Sequence, residues 1–413
     1  MIRLSSVAAL SLLATTVAWC GSYRILHEFQ GFSQDPSSGL VADAAGNLYG
    51  TTGAGGGHGN SGTVYQLSPT TGYHVIYSFS GPDGKGPGGN LLIDSAGNLY
   101  GVTGRGGSSP ACTDSEGCGA IYRLSPPKNG GSWTEKTLYS FTGGDDGYLP
   151  SAGLTFDSLG NLYGTTSEGG ELACGVVFSL IASENDQWTE NVLYTFTGDG
   201  CGPEGGLTFD SAGNLYGTTP QTGIWGGGTV YELSPSQGGS WTYAVIHAFN
   251  PNVKDGVFPT ASLVIDASGN LYGTTEGGGA FGAGTAFELT PNSGAWTETI
   301  IHHFGKDNDG SEPYSNLVFD TSGNLYGTTV HGGGTNNTCG TSGCGTLFKL
   351  APGPNSQWTE SAYDLGNGPR GIQPIAPLLL DGRGYAFGTT SSGGFINGHY
   401  ADGVAFRLTI GQH

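Results

Sequence analysis

Short apolar segments alternate along this chain with clusters of Gly, Pro, Ser and Asp, and none of them follows the 3.6-residue period of an amphipathic helix. One stretch shows the pattern in full, with segments at residues 153–157 (GLTFD), 161–166 (NLYGTT), 175–180 (GVVFSL) and 188–196 (WTENVLYTF). Segments of this length between turn-forming residues are typical of β-strands. The pattern therefore predicts a small four-stranded sheet.

This four-segment unit occurs seven times, and each copy has an Asp followed three residues later by a Gly. The Asp residues are Asp43, Asp94, Asp157, Asp210, Asp266, Asp320 and Asp381, spaced 51 to 63 residues apart. Six copies continue from the Gly as GNLYG, whereas the seventh reads GYAFG from Gly384 to Gly388. An Asp can accept hydrogen bonds from the amides that follow it, and Gly tolerates the left-handed conformation of a hairpin turn. We interpret these Asp residues as turn formers rather than catalysts.

Seven repeats of a sheet that is too small to bury both faces predict an all-β, seven-bladed β-propeller. The two ends of the chain support this count. Residues 23–29 (YRILHEF) resemble a fourth segment without the first three, and residues 403–409 (GVAFRLT) resemble a third segment without a fourth. We therefore predict that the N-terminal strand completes the last blade, that the ring contains 28 strands, and that residues 21–413 form a single domain.

Aromatic residues recur at fixed places in the fourth segment. A Trp begins it in five copies, and a Tyr-x-Phe pair ends it in three. Because residues two apart share one face of a strand, we interpret these side chains as the outer core between blades. The alternative is a stacking platform for sugar rings. The Trp residues are Trp133, Trp188, Trp241, Trp296 and Trp358.

The first twenty residues have the pattern of a secretory signal peptide. Arg3 precedes an apolar stretch from Leu4 to Ala18 that is too short to span a bilayer. Cys20 could instead be a lipid-attachment cysteine, but the bulky Trp19 before it is not typical of such sites. We expect a secreted or cell-surface protein without membrane insertion.

Six cysteines remain after Cys20, an even number that is typical of disulfides in exported chains. Two pairs are close in sequence and occupy the same repeat position, which leaves one further pair. The predicted disulfides are Cys112 with Cys118, Cys339 with Cys344 and Cys174 with Cys201. A zinc site would need four ligands at a characteristic spacing, and the chain contains no CxxC pair.

Composition and charge exclude several classes of function. The 13 Lys and Arg against 33 Asp and Glu give a formal charge of −20, which would repel a nucleic-acid backbone or an anionic membrane. Aromatic residues make up 11% of the chain, which favours a folded core in spite of the 79 Gly. We expect the protein to be a monomer, and we expect no nucleic-acid partner.

The repeat resembles a known family. The succession of GNLYGTT, a GG-rich stretch, GTVYELSP at residues 228–235, a Trp and then YSF is similar to the GloVer (Gloeo/Verruco) tandem repeat and, more distantly, to NHL-type propeller repeats. The resemblance covers about residues 40 to 408. It implies an exported bacterial protein of unassigned biochemical role. Because the sequence stops at His413, shortly after its last strand, we do not expect covalent surface attachment.

The loops after the second segment are the predicted site of function. The second residue after the Thr-Thr or Val-Thr pair changes its chemistry from copy to copy, although its surroundings repeat. A ligand lacks sevenfold symmetry, so this variation favours ligand binding by Arg105, Glu168, Gln221 and His331. The alternative is a tolerant exposed loop position. The full set is Ala54, Arg105, Glu168, Gln221, Gly277, His331 and Ser392.

Other residues offer weaker candidate chemistry. His58 and His399 lie in loops of the first and seventh blades, next to the sixth-blade loop that carries His331, and three imidazoles could bind a metal or supply a general base. They could equally be exposed loop residues. Asp307, Asp309 and Glu312 provide oxygen ligands of the kind that Ca²⁺ takes, although an Asp-Gly-x-x-Pro recurrence through Asp309 suggests turn formation. No cofactor is otherwise predicted.

Two functions are consistent with these observations. The first is a non-catalytic binding module for a glycan, a peptide or a surface protein. The second is a metal-assisted lyase or hydrolase of extracellular polysaccharide that uses His58, His331 and His399. No nucleophile elbow (GxSxG), HExxH motif or phosphate-binding loop occurs in the sequence, so catalytic residues cannot be assigned.

Overall fold

The computed structural model describes residues 21–411, apart from residues 32, 37, 58, 129, 199, 335–338, 340, 355–356, 367–369 and 397–398. The signal-peptide and lipidation predictions for residues 1–20 therefore lie outside the described residues. Seven four-stranded antiparallel sheets form the ring of a β-propeller, as predicted. The described residues contain no α-helix, and a short 3₁₀ turn spans Glu184–Asp186.

Each blade has four strands, which we number from the first to the fourth in the order of the repeat. The first strands are Val41–Ala42, Lys85–Ile93, Thr155–Phe156, Thr208–Phe209, Val264–Ile265, Val318–Phe319 and Leu379–Leu380. The second strands are Leu48–Thr52, Leu99–Arg105, Leu162–Thr166, Leu215–Thr219, Leu271–Thr275, Leu325–Thr329 and Tyr385–Thr390. The third strands are Thr63–Ser68, Ala120–Ser125, Val176–Ala182, Thr229–Pro235, Thr285–Asn292, Thr346–Pro352 and Val404–Thr409. The fourth strands are Gly72–Ser78, Thr134–Ser140, Trp188–Thr195, Trp241–Ala248, Ala295–His303, Trp358–Asp364 and, in blade 7, Tyr23–Glu28.

The N-terminal strand closes the ring. Tyr23–Glu28 pairs antiparallel with Val404–Thr409, and Ile25 lies opposite Phe406. Blade 7 therefore contains both ends of the described chain, and its third strand has no unpaired edge. This closure confirms the prediction from the incomplete repeats at the two termini.

The Asp-x-x-Gly sequences form the turns between the first and second strands. In blade 4, Asp210 Oδ1 accepts hydrogen bonds from the backbone N–H groups of Ala212 (2.8 Å) and Asn214 (2.9 Å), and Oδ2 accepts one from Asn214 Nδ2 (2.8 Å). Gly213 has a φ of 90°, a conformation that a side chain would strain. The turn-forming role predicted for the Asp is therefore present in the structure. We call the end of the ring that carries these turns the turn face.

The core lies between blades. In each blade a Tyr or Phe of the third strand is buried across the Gly of the second strand, and a Cβ at Gly217 would lie 2.3 Å from the hydroxyl oxygen of Tyr231. At the outside, Trp residues of the fourth strands contact aromatic rings of the preceding blade, as when Trp188 packs edge-to-face on Tyr100. The predicted inter-blade role of the Trp residues agrees with this packing.

A second set of contacts joins blades at the outer edge. A Tyr or His of the fourth strand binds the Asp of the following crossover, and a Glu of the next blade lies beside that Asp. The Tyr139 hydroxyl donates to Asp146 Oδ2 at 2.9 Å, for example, and the Thr142 N–H donates to the same oxygen at 2.8 Å. We call these groups the rim network: Tyr77, Asp83, Glu135; Tyr139, Asp146, Glu190; His247, Asp255, Glu298; His302, Asp309, Glu360.

The opposite end of the ring, which we call the loop face, carries the loops between second and third strands and the crossovers between blades. Each crossover contains a residue of positive φ followed by Pro, and in five blades this residue is not Gly: Asp35, Leu149, Phe258, Glu312 and Gln373. Its carbonyl oxygen accepts a hydrogen bond from the first residue after the second strand, as in the bond from the Ser167 N–H to Leu149 at 3.2 Å. Each of these crossovers is thereby fixed to the end of the second strand of its blade.

Three disulfides join the pairs of cysteines predicted from the sequence. Cys112–Cys118 closes a loop of blade 2, and Cys339–Cys344 closes the corresponding loop of blade 6. Cys174–Cys201 connects the loop between the second and third strands of blade 3 to the crossover that follows this blade, and both segments lie on the loop face. Among the described residues, no helix has the length and apolar character that crossing a bilayer requires.

Candidate functional site

A polar cavity of about 310 Å³ lies on the axis of the ring towards the loop face. It is lined by the segment that follows the crossover Pro in six of the seven blades, because these segments lead into the innermost strands. We call this cavity the axial pocket. Its main lining residues are Asn90, Ser151, Ser167, Glu204, Thr260, Ser262, Tyr314, Asn316 and Ile375.

One carboxyl group, that of Glu204, and one aromatic ring, that of Tyr314, give the axial pocket its chemistry. The Tyr314 hydroxyl donates to Glu204 Oε2 at 3.3 Å, and the Tyr314 side chain is 37% exposed. Burial raises the pKa of Glu204 above its usual value. Burial and the charges of Glu312 and Glu204 raise the pKa of Glu276, which lies near Glu204 but does not line the pocket. The pocket can therefore accept hydrogen bonds from a polar ligand and offer a ring face to an apolar part of it.

Two amide side chains on the wall are held by backbone groups. Asn90 Oδ1 accepts a hydrogen bond from the Gly39 N–H at 3.0 Å, and Asn316 Oδ1 accepts one from the Ser262 N–H at 2.8 Å. These bonds fix both side chains between adjacent blades. The amide nitrogens remain as donors for a ligand, so the pocket offers donors as well as acceptors.

The variable loop positions predicted from the sequence occupy equivalent places in all seven blades. Each forms a backbone β-bridge with the crossover that precedes its own blade. Ala54 pairs with Gln34, Arg105 with Lys85, Glu168 with Tyr148, Gln221 with Cys201, Gly277 with Val257, His331 with Ser311 and Ser392 with Ile372. The side chains change while the backbone at this position is constant.

Arg105 and Glu168 meet around one tyrosine. Arg105 Nη1 donates to the Tyr148 hydroxyl at 3.1 Å, and that hydroxyl donates to Asp114 Oδ2 at 2.6 Å. The Glu168 charge contributes to the raised pKa of Tyr148, after burial and the Asp114 hydrogen bond. Asp114 lies in the loop closed by the Cys112–Cys118 disulfide. The structure thus joins two of the predicted residues into one polar cluster on the loop face.

The predicted histidine set is described only in part. His331 Nε2 lies 3.5 Å from Glu312 Oε2. His58 lies outside the described residues, and only the backbone of His399 is described, in a two-residue strand, His399–Tyr400. The arrangement of three imidazoles around one metal ion or proton therefore stays a prediction. Gln221, the remaining predicted residue, is exposed beside the Cys174–Cys201 disulfide.

The calcium candidates have separate surroundings. Asp307 is 73% exposed and lies 3.7 Å from Lys306 Nζ. Asp309 accepts hydrogen bonds from the N–H groups of Gly305 and Lys306 and lies 3.0 Å from His302 Nε2, so it belongs to the rim network. Glu312 faces His331. Calcium binding by these three carboxylates stays a prediction.

Only one group of three His, Asp or Glu side chains in the described part of the chain brings its ligand atoms within 4.8 Å of one another. His247 Nε2 lies 3.6 Å from both Asp255 Oδ2 and Glu298 Oε1. The equivalent groups of other blades begin with Tyr or His, as in Tyr139, Asp146 and Glu190 or in His302, Asp309 and Glu360, and in both the first side chain binds the Asp of the crossover. We assign the His247 group to the rim network on this ground.

Sequence reasoning missed the residues of the axial pocket. It selected the second residue after the Thr pair, such as Glu168, whereas the first residue, Ser167, lines the pocket. Adjacent side chains of an extended segment point in opposite directions, so the side chain of Glu168 points away from the pocket that Ser167 lines. The residue after each crossover Pro, such as Glu204 or Tyr314, varies in the same way and could have been found by that signal.

These features define a seven-bladed β-propeller with a variable loop face and a polar axial pocket. The Gloeobacter/Verrucomicrobia repeat matches residues 15–199 and 108–339, which together span roughly four-fifths of the chain. The chain belongs to this family. No curated protein matches it.

Solved structures are similar to this chain at low sequence identity. A protein from Bacteroides uniformis, provisionally assigned as a 6-phosphogluconolactonase, is 12% identical with a TM-score of 0.51 over 91% of this chain and 100% of its own. A protein of unknown function from Dyadobacter fermentans is 10% identical with a TM-score of 0.46 over 94% and 99%. A gluconolactonase from Xanthomonas campestris is 16% identical with a TM-score of 0.40 over 74% and 85%. Similarity at this level concerns the propeller fold alone.

Proposed function

We propose that this protein is an exported binding module that holds a glycan by one sugar unit in the axial pocket and does not transform it. The observation that carries the proposal is the combination of Tyr314 with Glu204 in a cavity lined by hydroxyl and amide groups. Carboxylates and amides pair with sugar hydroxyls, and an aromatic ring packs on the apolar face of a sugar. The cavity, at about 310 Å³, is at the lower end of the range for ligand pockets.

The variable loop positions extend this site over the loop face. Arg105, Glu168, Gln221 and His331 are carried on the same face of the ring and differ from blade to blade. A longer glycan held at the axis would contact several of them in an asymmetric way, as a rigid scaffold with variable loops permits. We infer that the axial pocket supplies the anchor and these side chains the selectivity.

Export is part of the same proposal. Three disulfides are consistent with an oxidising compartment, because cytosolic thiols are kept reduced. A glycan ligand would be met at the cell surface or outside the cell. Expression of the full chain with detection in the medium, in the cell envelope and in the cytoplasm tests this step, and retention in the cytoplasm would contradict it.

The binding proposal is tested with a glycan array on the full disulfide-bonded protein, followed by calorimetry with the best ligand. Glu204→Gln and Tyr314→Ala are expected to weaken that ligand by tenfold or more while the melting temperature changes little. Glu184→Gln, which removes an exposed charge from the turn face, is the matched control and should bind normally. Unchanged affinity in both axial variants would contradict the axial anchor.

The same samples test catalysis. The name of the Bacteroides uniformis protein makes a sugar lactone the natural substrate to try, although the likeness to it concerns the fold only. We expect no acceleration of D-glucono-1,5-lactone hydrolysis. An acceleration that is lost in Glu204→Gln would replace the binding proposal with an enzymatic one.

A further inference from the structure

In blade 2, two cationic side chains that lie opposite each other bind the same carboxylate. Arg123 of the third strand lies opposite Lys136 of the fourth, and both bind Asp186 from the neighbouring blade. Arg123 donates from Nη1 and Nη2 to the two Asp186 oxygens at 2.7 and 2.8 Å, and Lys136 Nζ donates to Oδ2 at 2.9 Å. A bidentate contact with a second cation is a strong arrangement for a carboxylate. It lowers the pKa of Asp186 below its usual range.

Blade 7 contains the same cation pair at the same register. Arg407 of the third strand lies opposite Arg24 of the fourth, as Arg123 lies opposite Lys136. Like charges directly opposite each other destabilise a sheet unless something compensates them. Neither Arg24 nor Arg407 forms an ion pair with any residue that the structure describes. Blade 7 therefore has the cations of blade 2 without the carboxylate.

The loop of the following blade explains the difference. Asp186 is carried by the 3₁₀ turn Glu184–Asp186 between the third and fourth strands of blade 3. The corresponding loop of blade 1 runs only from Ser68 to Gly72 and contains Pro69 and two Thr, with no acidic residue. A cavity of about 650 Å³ lies at this place on the turn face, lined by Arg24, Arg407, Pro69 and Gly72 among others. The shorter loop leaves open the space that Asp186 fills in blade 3.

Two further features prepare this cavity for an anion. The Arg407 guanidinium lies over the Tyr385 ring, 4.3 Å from its centroid, which holds the planar group in one orientation. Arg383 also lines the cavity from the turn of blade 7, where the equivalent residues of the other blades are Ala, Leu or Ser, but its Nε lies 3.3 Å from Oδ2 of Asp381, another lining residue. The Nε atom is buried without a hydrogen-bond partner in both Arg407 and Arg123, so it does not distinguish the cation pairs of blades 7 and 2. The two pairs differ at the Nη atoms, which bind Asp186 in the case of Arg123.

We propose that the cavity between blades 7 and 1 on the turn face binds the carboxylate of a small ligand through Arg24 and Arg407. The arrangement is unusual for this chain, which has only 13 Lys and Arg and a net charge of −20. The apolar side chains of Leu26, Leu48 and Phe387 also line the cavity and can contact the body of the ligand. The site is distinct from the axial pocket, which opens towards the other face and has no cationic side chain among its described lining residues.

Calorimetry at low ionic strength on the full protein tests the proposal with sodium acetate and sodium D-glucuronate as probes. D-glucose is the matched neutral ligand, and inorganic phosphate is the competing class of anion. We expect saturable binding of both carboxylates with a Kd in the millimolar range or tighter, weakened at least tenfold in Arg24→Gln and in Arg407→Gln. Lys254→Gln, which removes an exposed cation from another part of the ring, should bind like the wild type.

Stability separates a binding role from a structural one. Arg24 is exposed, and its removal relieves repulsion with Arg407, so Arg24→Gln is expected to raise the melting temperature while it abolishes carboxylate binding. If Arg24 had a structural role, Arg24→Gln would lower both the melting temperature and the affinity for the carboxylate. The proposal is overturned if neither carboxylate binds below about 20 mM, a limit corresponding to roughly 2 kcal/mol of binding free energy. It is also overturned if acetate binding survives both Arg substitutions, or if phosphate binds in place of acetate.

Discussion

The indole of Trp133 packs edge-to-face against the ring of Tyr49 on the neighbouring blade, with ring centroids 5.8 Å apart. Tyr49 in turn donates through its hydroxyl to Asp43 Oδ2 at 3.0 Å, so the turn of blade 1 is connected to the outer strand of blade 2 through one aromatic pair. Trp188, Trp241, Trp296 and Trp358 make the same contact in other blades. This repeated aromatic pair therefore connects the turn of one blade to the fourth strand of the next blade.

Trp133→Ala is therefore expected to lower the free energy of unfolding by about 2 kcal/mol, because it removes a half-buried aromatic ring and its edge-to-face contact. Chemical denaturation measures the change. Trp225→Ala is the control, since Trp225 is 51% exposed on the loop face, and it should change stability by less than about 0.5 kcal/mol. Equal effects of the two substitutions would contradict an inter-blade role for Trp133.

Gly213→Val is expected to lower the free energy of unfolding by about 1–3 kcal/mol, because a β-branched residue is strained at the φ of 90° that Gly213 adopts. A Cβ at this position would meet no neighbouring atom within 4 Å, so the expected effect comes from the backbone and not from a clash. Ala212→Val, at the exposed neighbouring position with ordinary φ, is the matched control. Wild-type stability of Gly213→Val in denaturant unfolding would contradict the turn geometry.

The fold could be predicted from the sequence because its signals are local and occur seven times. The Asp-x-x-Gly turns, the strand lengths and the unfinished repeats at residues 23–29 and 403–409 each report on a few neighbouring residues, and the copies support one another. The Cys174–Cys201 disulfide was predicted as the pair that remains after the two local pairs are assigned, and the structure contains it.

The candidate sites depend on contacts that the repeat does not encode. Glu204 and Tyr314 meet across the axis although they are 110 residues apart. Arg24 and Arg407 become neighbours only through closure of the ring, so no local pattern joins them. Whether Ser167 or Glu168 faces the axis depends on how the crossover is fixed by the carbonyl of Leu149, a residue with positive φ that the sequence does not mark.

The rim network makes stability depend on pH. Burial and the neighbouring carboxylates of Asp146 and Asp309 raise the pKa of Glu190 and of Glu360 to about 7. Between the usual Glu value near 4.5 and pH 7 the folded protein keeps protons that the unfolded chain releases. This contribution to stability is complete below about pH 4.5 and is lost as the pH rises through 7. Burial lowers the pKa of His27 to about 4, so its contribution is lost in the other direction, as the pH falls from 6.5 to 4.

We therefore expect the melting temperature to fall between pH 6 and pH 8, and Glu360→Gln to reduce this fall because a neutral amide needs no proton. Scanning calorimetry at several pH values measures both. Glu184→Gln, outside the rim network, should leave the slope unchanged. A wild-type melting temperature that rises from pH 6 to pH 8 would have the wrong sign for a network with protonated Glu residues.

Closure of the ring predicts that the first strand is as important as an internal one. Phe29 follows the N-terminal strand and is fully buried, with its ring 5.0 Å from that of Tyr65 in blade 1. Phe141 occupies the same repeat position in blade 2, is equally buried and lies 5.3 Å from Phe178 in blade 3. Replacing either by Ala removes a large buried side chain from equivalent inter-blade contacts. Phe29→Ala and Phe141→Ala are therefore expected to lower the free energy of unfolding by similar amounts, about 3–5 kcal/mol each. Denaturant unfolding of the two variants side by side measures this, and a Phe29→Ala protein as stable as the wild type would mean that the N-terminal strand does not complete blade 7 in solution.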